Sequence, residues 1–413
     1  MYEVEIEKLD HQGRGITHIN DKIVFVENAL PTEKVKIKVI KENKKIMEAV
    51  VTEYIKKSVD RVESFCPYYN ECGGCDLLHL SYEQQLKYKE NKIKEIMIRY
   101  AELDEKLIKS IVPSPKQYNY RNKITLKVKD KVGYYKKKSY DIVEIENCLL
   151  ANEKINEIIK EFSKIYVPSS INELVIRSIN EDEISLTIYL QKKENIDYFI
   201  NLFIKKFNSI KIVFENKLVK ETGKSNIIGR LDKYDYQMSQ TAFFQVNTQQ
   251  TVNLYDKIKQ YVKELNSPTT LDLYCGTGSI GIYISEYALK VIGVEINSEA
   301  IENAKINAKN NNIKNIEFLA GDAKTVLSKN NYSADLVIVD PPRSGLDLDV
   351  VSDIIKINSK DIIYVSCDPI TLARDLKLFS DKYEVVELTP FDMFPNTYHV
   401  ECVVKLVRKN IKK

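Results

Sequence analysis

Thr270-Leu271-Asp272-Leu273-Tyr274-Cys275-Gly276-Thr277-Gly278-Ser279-Ile280-Gly281 is the stretch whose reading decides the fold. An apolar run stops at two closely spaced glycines, and a helix start follows. A second strand, Val291-Ile292-Gly293-Val294-Glu295, ends in an acid nineteen residues after Gly276. Strand, glycine loop, helix and acid-tipped strand open a doubly wound α/β sheet. Gly276 and Gly278 let a ligand approach the backbone, and Glu295 can take the two ribose hydroxyls of an adenosine.

The sheet continues downstream. Strand Ile316 to Leu319 leads into Gly321-Asp322, with Asp322 a candidate for the adenine edge. Ala334 to Val339 runs into Asp340-Pro341-Pro342-Arg343-Ser344-Gly345-Leu346, where two prolines stiffen the loop and hold Asp340 outward at the strand tip. Asp361-Ile362-Ile363-Tyr364-Val365-Ser366-Cys367-Asp368-Pro369 is a buried parallel strand with Cys367 on the loop leaving its C-terminal end. Open α/β sheets bind ligands at that end; elsewhere such a Cys would be a small buried cap. A sixth strand, Tyr383 to Leu388, and a seventh, His399 to Leu406, close the unit. On the seventh, Glu401 and Cys402 point to opposite faces, and a carboxylate at the start of a mostly apolar strand is unusual. Cys275 is the rival thiol, but it sits inside the cofactor loop.

The chain has 413 residues, 44% of them hydrophobic, which fits two or three folded domains and excludes disorder. Its opening, Met-Tyr-Glu-Val-Glu-Ile-Glu, is no signal peptide, and no apolar run approaches membrane-spanning length. A soluble, cytoplasmic protein is expected. Seven cysteines, an odd number, then argue for metal binding or catalysis over disulfides. The net charge of +3 says little, but lysines crowd the first 140 residues.

Residues 1–57 read as five short strands of an OB-like barrel with lysine-bearing faces. Residues 58–235 read as an α+β domain. A helix over about 81–100 could pack on the catalytic unit, and a basic, tyrosine-rich stretch runs from Tyr118 to Lys138. Interleaved Tyr and Lys/Arg suit base stacking and phosphate neutralisation. Cys66, Cys72 and Cys75, with Cys148 far downstream, can hold zinc or an iron–sulfur cluster, and spacing alone does not choose. Residues 236–413 form the catalytic α/β domain, Rossmann-like with seven strands.

The loop Asp-x-Tyr-Cys-Gly-x-Gly is closer to that of S-adenosylmethionine (SAM) methyltransferases than to a dinucleotide fingerprint. Gly13-Arg14-Gly15-Ile16 and Phe25 to Val35 resemble the TRAM domain, an RNA-binding barrel. Together with the four cysteines, Phe243-Phe244-Gln245-Val246-Asn247, Asp340 to Gly345, Ser366 to Pro369 and His399-Val400-Glu401, the chain resembles SAM-dependent RNA uracil-5 methyltransferases that carry a TRAM domain and a [4Fe-4S] cluster. The resemblance implies Cys367 as nucleophile and Glu401 as base. It implies Gln245, Tyr274, Gly276, Gly278, Glu295, Asp322 and Asp340 as SAM-binding residues, and Asp340 and Arg343 as uridine-positioning residues. It implies Cys66, Cys72, Cys75 and Cys148 as cluster ligands, with a structural or RNA-contacting role. The expected substrate is 23S rRNA, with tRNA the alternative, and the expected form is a monomer with no membrane partner. A different class, a non-catalytic RNA-binding protein with a zinc knuckle, would use the barrel and cysteines but leave Cys367 and Glu401 without a purpose.

Overall fold

The computed structural model describes residues 1–179, 183–239, 243–329 and 332–409. We number the strands of the C-terminal sheet in chain order: β1 Thr269–Leu273, β2 Lys290–Glu295, β3 Ile316–Ala320, β4 Leu336–Val339, β5 Asp361–Ser366, β6 Tyr383–Phe391 and β7 Glu401–Arg408. They lie in the order β3-β2-β1-β4-β5-β7-β6. The first five are parallel, while β7 runs antiparallel to both β5 and β6. β4 and β5 are buried along their whole length, because helices cover both faces of the sheet. The expected seven-stranded α/β sheet is therefore present.

Helix α1, Tyr82–Ala101, packs against helix Pro369–Phe379 on one face of this sheet. Its Ile93, Ile96 and Met97 join the apolar core of that face. Lys89, in the middle of α1, is fully buried and forms an ion pair with the equally buried Asp392. Lys89 Nζ also donates to the Phe394 carbonyl at 3.0 Å, and the Tyr82 hydroxyl donates to Asp392 at 2.8 Å. The two charges thus have close to a full set of partners, which a buried pair needs.

The N-terminal unit has six strands rather than five, in one curled sheet over a small core of Val4, Ile6, Val24, Val26, Val35 and Ile37. The short strands Lys8–Leu9 and Gly15–Ile19 complete the set. A Cβ on Gly15 would lie 2.8 Å from the Ile6 side chain, so that glycine serves close packing inside a strand. The central unit is a second seven-stranded sheet. Its edge strands Ile142–Glu144 and Lys217–Gly223 are short or largely exposed, so no buried face marked them in the sequence. A hairpin, Ile227–Leu231 with Tyr234–Met238, packs into the catalytic core beside Ile280 and Ile301, and the expected boundary at 235/236 falls inside its second strand. No helix among the described residues is long and apolar enough to cross a membrane.

Asp392→Leu alone strands the Lys89 ammonium in the core and should cost about 3–5 kcal/mol. The double change Lys89→Met with Asp392→Leu should recover most of that loss; thermal melts of the two variants check this.

Candidate active site

At the tip of β1 the backbone turns left-handed at Tyr274 (φ 63°), Gly276 (φ 53°) and Gly278 (φ 77°). A Cβ at Gly278 would lie 2.6 Å from the Phe318 ring, whereas at Gly276 it would meet nothing within 4 Å. Gly278 therefore packs the loop onto β3, and Gly276 leaves open space for a ligand. Glu295, at the end of β2, accepts from the Gly276 amide at 3.2 Å and from the Asn297 amide at 2.9 Å. Asp322 accepts from the Thr325 amide and hydroxyl at 3.1 and 3.2 Å, which ties one of its oxygens to the helix that follows. Gln245 is buried, and its carbonyl accepts from Asn122 at 2.9 Å. Cys275 is buried in the apolar core beneath the loop, away from the ligand side.

Cys367 follows β5 and Glu401 starts β7. Ser366 pairs with Cys402 across the two strands, so the next step of the same register sets Cys367 opposite Glu401. Burial pushes the Cys367 thiol up to about 12, with the Glu401 and Asp340 carboxyls adding to the rise and Arg343 opposing it. Burial and then Asp340 push Glu401 well above the usual carboxylate range, again against Arg343. Burial raises Asp340 to about 7. Cys367, Glu401 and Asp340 therefore share one site at the ligand-binding end of the sheet, with the exposed Arg343 beside it.

A fifth group was quoted in the sequence reading but given no role. Asp272, fully buried under the loop, accepts from the Gly281 amide at 3.1 Å through Oδ2, while Oδ1 has no partner among the described residues. Burial and then the Asp340 charge push it up to about 8. Only the tertiary fold shows this, since an acid inside a strand is ordinarily read as facing solvent.

Cys66, Cys72, Cys75 and Cys148 all line one cavity, together with Tyr68, Tyr134, Leu78 and Ile145. The Gly74 amide donates to Cys72 Sγ at 3.4 Å. Beside it a groove runs between the three units, lined by Arg14 of the barrel, Arg121, Lys127 and Lys136 of the central unit, and Tyr398 of the catalytic unit. Several of the lysines expected to meet phosphate already face acids. Lys136 pairs with Glu71, Lys138 with Glu27 and Glu48, and Lys34 and Lys36 on the barrel with Glu3 and Glu53.

A glycine loop on β1, an acid ending β2 and a thiol–carboxylate pair beside them, with a basic groove alongside, define an RNA-modifying methyltransferase. Residues 170–409 match the family model for tRNA (uracil-5-)-methyltransferase, and residues 1–52 match the TRAM domain. An uncharacterized RNA methyltransferase of Clostridium acetobutylicum is 36% identical, over 98% of this chain and 97% of its own. One from Bacillus cereus is 35% identical, over 98% and 96%. The solved Pyrococcus abyssi tRNA (uracil-54, C5)-methyltransferase in complex with S-adenosyl-L-homocysteine superposes with a TM-score of 0.80 at 31% identity, over 98% of this chain and 100% of that one. The chain belongs to the tRNA (uracil-5-)-methyltransferase family; it is a SAM-dependent RNA methyltransferase acting at uracil C5.

Asp272 and Asp340 hold protons in the folded state that the unfolded chain, with carboxyls near 3.9, releases. Their contribution to stability is full below about pH 4 and is lost as pH rises through about 7 to 8. Asp272→Asn should flatten this slope and raise the melting temperature of the ligand-free protein above about pH 8, read by melts across a pH series.

Proposed function

We propose that Cys367 is the nucleophile and Glu401 the base of uracil-5 methylation. The observation carrying this reading is the β5–β7 register, which sets the two opposite each other at the ligand-binding edge. Uracil C5 is too weak a nucleophile to take a methyl group unaided. A Cys367 Sγ–C6 bond makes C5 enolate-like. SAM supplies the electrophilic methyl. Glu401 then takes the C5 proton, the C5–C6 double bond re-forms, and Sγ leaves C6 as thiolate. Because burial holds the Cys367 thiol protonated, its proton passes to water before addition, and the nearby Arg343 charge favours the thiolate.

Gln245, Tyr274, Gly276, Gly278, Glu295, Asp322 and Asp340 hold SAM in this proposal, and Asp340 with Arg343 orients the uridine. Open space over Gly276 and the position of Glu295 at the β2 tip support the first set. Extruding the uridine from its stack costs a few kcal/mol, roughly; the groove that joins all three units offers contacts to offset it. The barrel and the central unit serve RNA binding, and the C-terminal unit with its 227–238 hairpin serves catalysis, in a cytoplasmic monomer.

Cys66, Cys72, Cys75 and Cys148 are proposed to hold a [4Fe-4S] cluster. Four thiols around one cavity and an amide aimed at a sulfur support it. Among the described residues no three metal-ligating side chains converge as a single ion would need, so the cluster reading rests on the four thiols that line one cavity. Such a cluster would staple Cys148 to the loop of the other three thiols.

For the substrate, the TRAM-plus-cysteine layout is the ground for a uridine in 23S rRNA. The tRNA reading has its own support: a solved enzyme named for tRNA uracil-54 covers this chain almost end to end. Mapping 5-methyluridine in 23S rRNA and tRNA from a deletion strain separates the two by which site disappears.

Cys367→Ala should abolish both methylation and covalent RNA adducts while sparing SAM binding; residual turnover sinks the nucleophile assignment. Glu401→Gln should form the adduct and hold it, lowering turnover by about 10²–10⁴-fold. Anaerobically purified protein should carry about four iron per chain, and zinc without iron overturns the cluster.

A further inference from the structure

The connection from β6 to β7, residues 392–400, has no regular structure and ends at Glu401. A hairpin needs only two to five residues there. Its backbone carbonyls bond mainly to groups from the N-terminal half of the chain. The Asn396 carbonyl accepts from the Asp76 and Leu77 amides, both at 3.0 Å. The Tyr398 carbonyl accepts from Lys92 Nζ at 3.0 Å, and the Tyr398 amide donates to Asp76 at 3.4 Å. Gln85, on α1, is buried and works from both ends of its amide. Its Oε1 accepts from the Asn396 amide at 2.9 Å, and its Nε2 donates to Asn396 Oδ1 at 3.1 Å and to the Leu77 and Leu80 carbonyls at 3.1 and 2.9 Å. Asn396 holds a left-handed φ of 67° at the centre of this node.

From these contacts we infer that Gln85, Lys92 and Asn396 are positioning residues for the second half of the reaction, fixing the segment that delivers Glu401 to Cys367. They tie that segment to α1 and to the loop that follows Cys75. None is placed against substrate or cofactor. The inference rests on Glu401 being the base. A buried loop must find partners for its backbone groups. Here those partners are borrowed from a different unit, so the placement of Glu401 depends on that unit. Cys367 follows β5, whose last residue Ser366 pairs with Cys402, while Glu401 pairs with Phe391 on β6 and is fixed from its N-terminal side by the 392–400 segment. Loosening the tie therefore leaves Sγ–C6 bond formation alone. It slows transfer of the C5 proton to Glu401, and with it re-formation of the double bond and departure of Sγ.

Asn396→Gly keeps the left-handed backbone and removes the side-chain bonds to Gln85 and Gln117. Lys92→Met keeps the stem and removes the bond to the Tyr398 carbonyl. Single turnovers with a uridine-containing RNA substrate and SAM give the rate at which a denaturant-stable protein–RNA complex forms and the rate at which it decays to methylated RNA. Rates, unlike amplitudes, do not depend on the fraction of folded enzyme. In both variants formation should stay within about twofold of the parent, while decay slows about tenfold, a part of what a general base supplies. Hydrogen exchange across residues 393–400 should speed up in the absence of RNA. Parent-like decay, equal slowing of both steps, or unchanged exchange overturns the inference while Glu401→Gln still traps the complex. Normal decay in Glu401→Gln instead overturns the base assignment, and this inference with it.

Discussion

The pairing of β5 with β7 is the constraint on which the site depends. Parallel strands deliver only their C-terminal ends to the ligand edge of the sheet. β7 runs the other way, so it delivers its first residue to that edge. A residue just past the end of β5 then meets a residue at the start of β7, and two groups far apart in sequence become cross-strand neighbours. The register leaves no latitude. A slip of one residue would replace Glu401 with Val400 or Cys402 and would exchange the side chains that β7 sends into each of the two apolar cores. The buried side chains of β7, including Val403, Val404 and Leu406, hold that register through both apolar cores.

The same constraint makes the site costly. Three carboxyls, Asp272, Asp340 and Glu401, and one thiol are gathered where water is scarce; Asp340 raises the proton affinity of the other three, and Glu401 that of Cys367. Arg343 is the opposing charge acting on both Cys367 and Glu401. In the ligand-free protein the groups are largely protonated, which avoids burying several negative charges together. The catalytic states are reached only when the balance of charge in the pocket changes. Stability must come from elsewhere: from the two apolar layers that sandwich the sheet and from α1, docked on the outer layer through Lys89 and Asp392.

Much of this was legible in the chain. The sheet was, because each strand is a short apolar run ended by Gly, Pro or a charged residue, and the period is unambiguous. The fourth and fifth strands carry their site residues directly after the run, so Asp340 and Cys367 could be placed at a tip without coordinates. Glu401 stood out as a charge at the head of an apolar strand. Other features were hidden for physical reasons. Gly15 gives no strand signal, because its role is close packing inside the strand. Exposed edge strands such as Lys217–Gly223 have no buried face and hence no pattern. Asp272 and the contacts of Gln85, Lys92 and Asn396 exist only across long sequence separations. The basic character of the N-terminal units is legible as composition but not as surface, since the acids that answer those lysines come from strands and loops distant in sequence, such as Glu71 for Lys136 and Glu48 for Lys138.

That last point bears on how the RNA is gripped. Ion pairs such as Lys136–Glu71 and Lys138–Glu48 are solvent-exposed and contribute little to the fold. They can be exchanged for phosphate at small cost. Yet each exchange returns a carboxylate to water beside a nucleic acid, so the net electrostatic gain is less than the lysine count suggests, and fewer counterions are released than bare lysines would release. Non-specific adhesion is thereby held down. On the proposed reading, discrimination comes from the shape of the groove and from stacking on side chains such as Tyr398, which lines it three residues before Glu401. A strand that does not fit that groove gains little charge attraction to compensate, and its uridine has no reason to leave the stack.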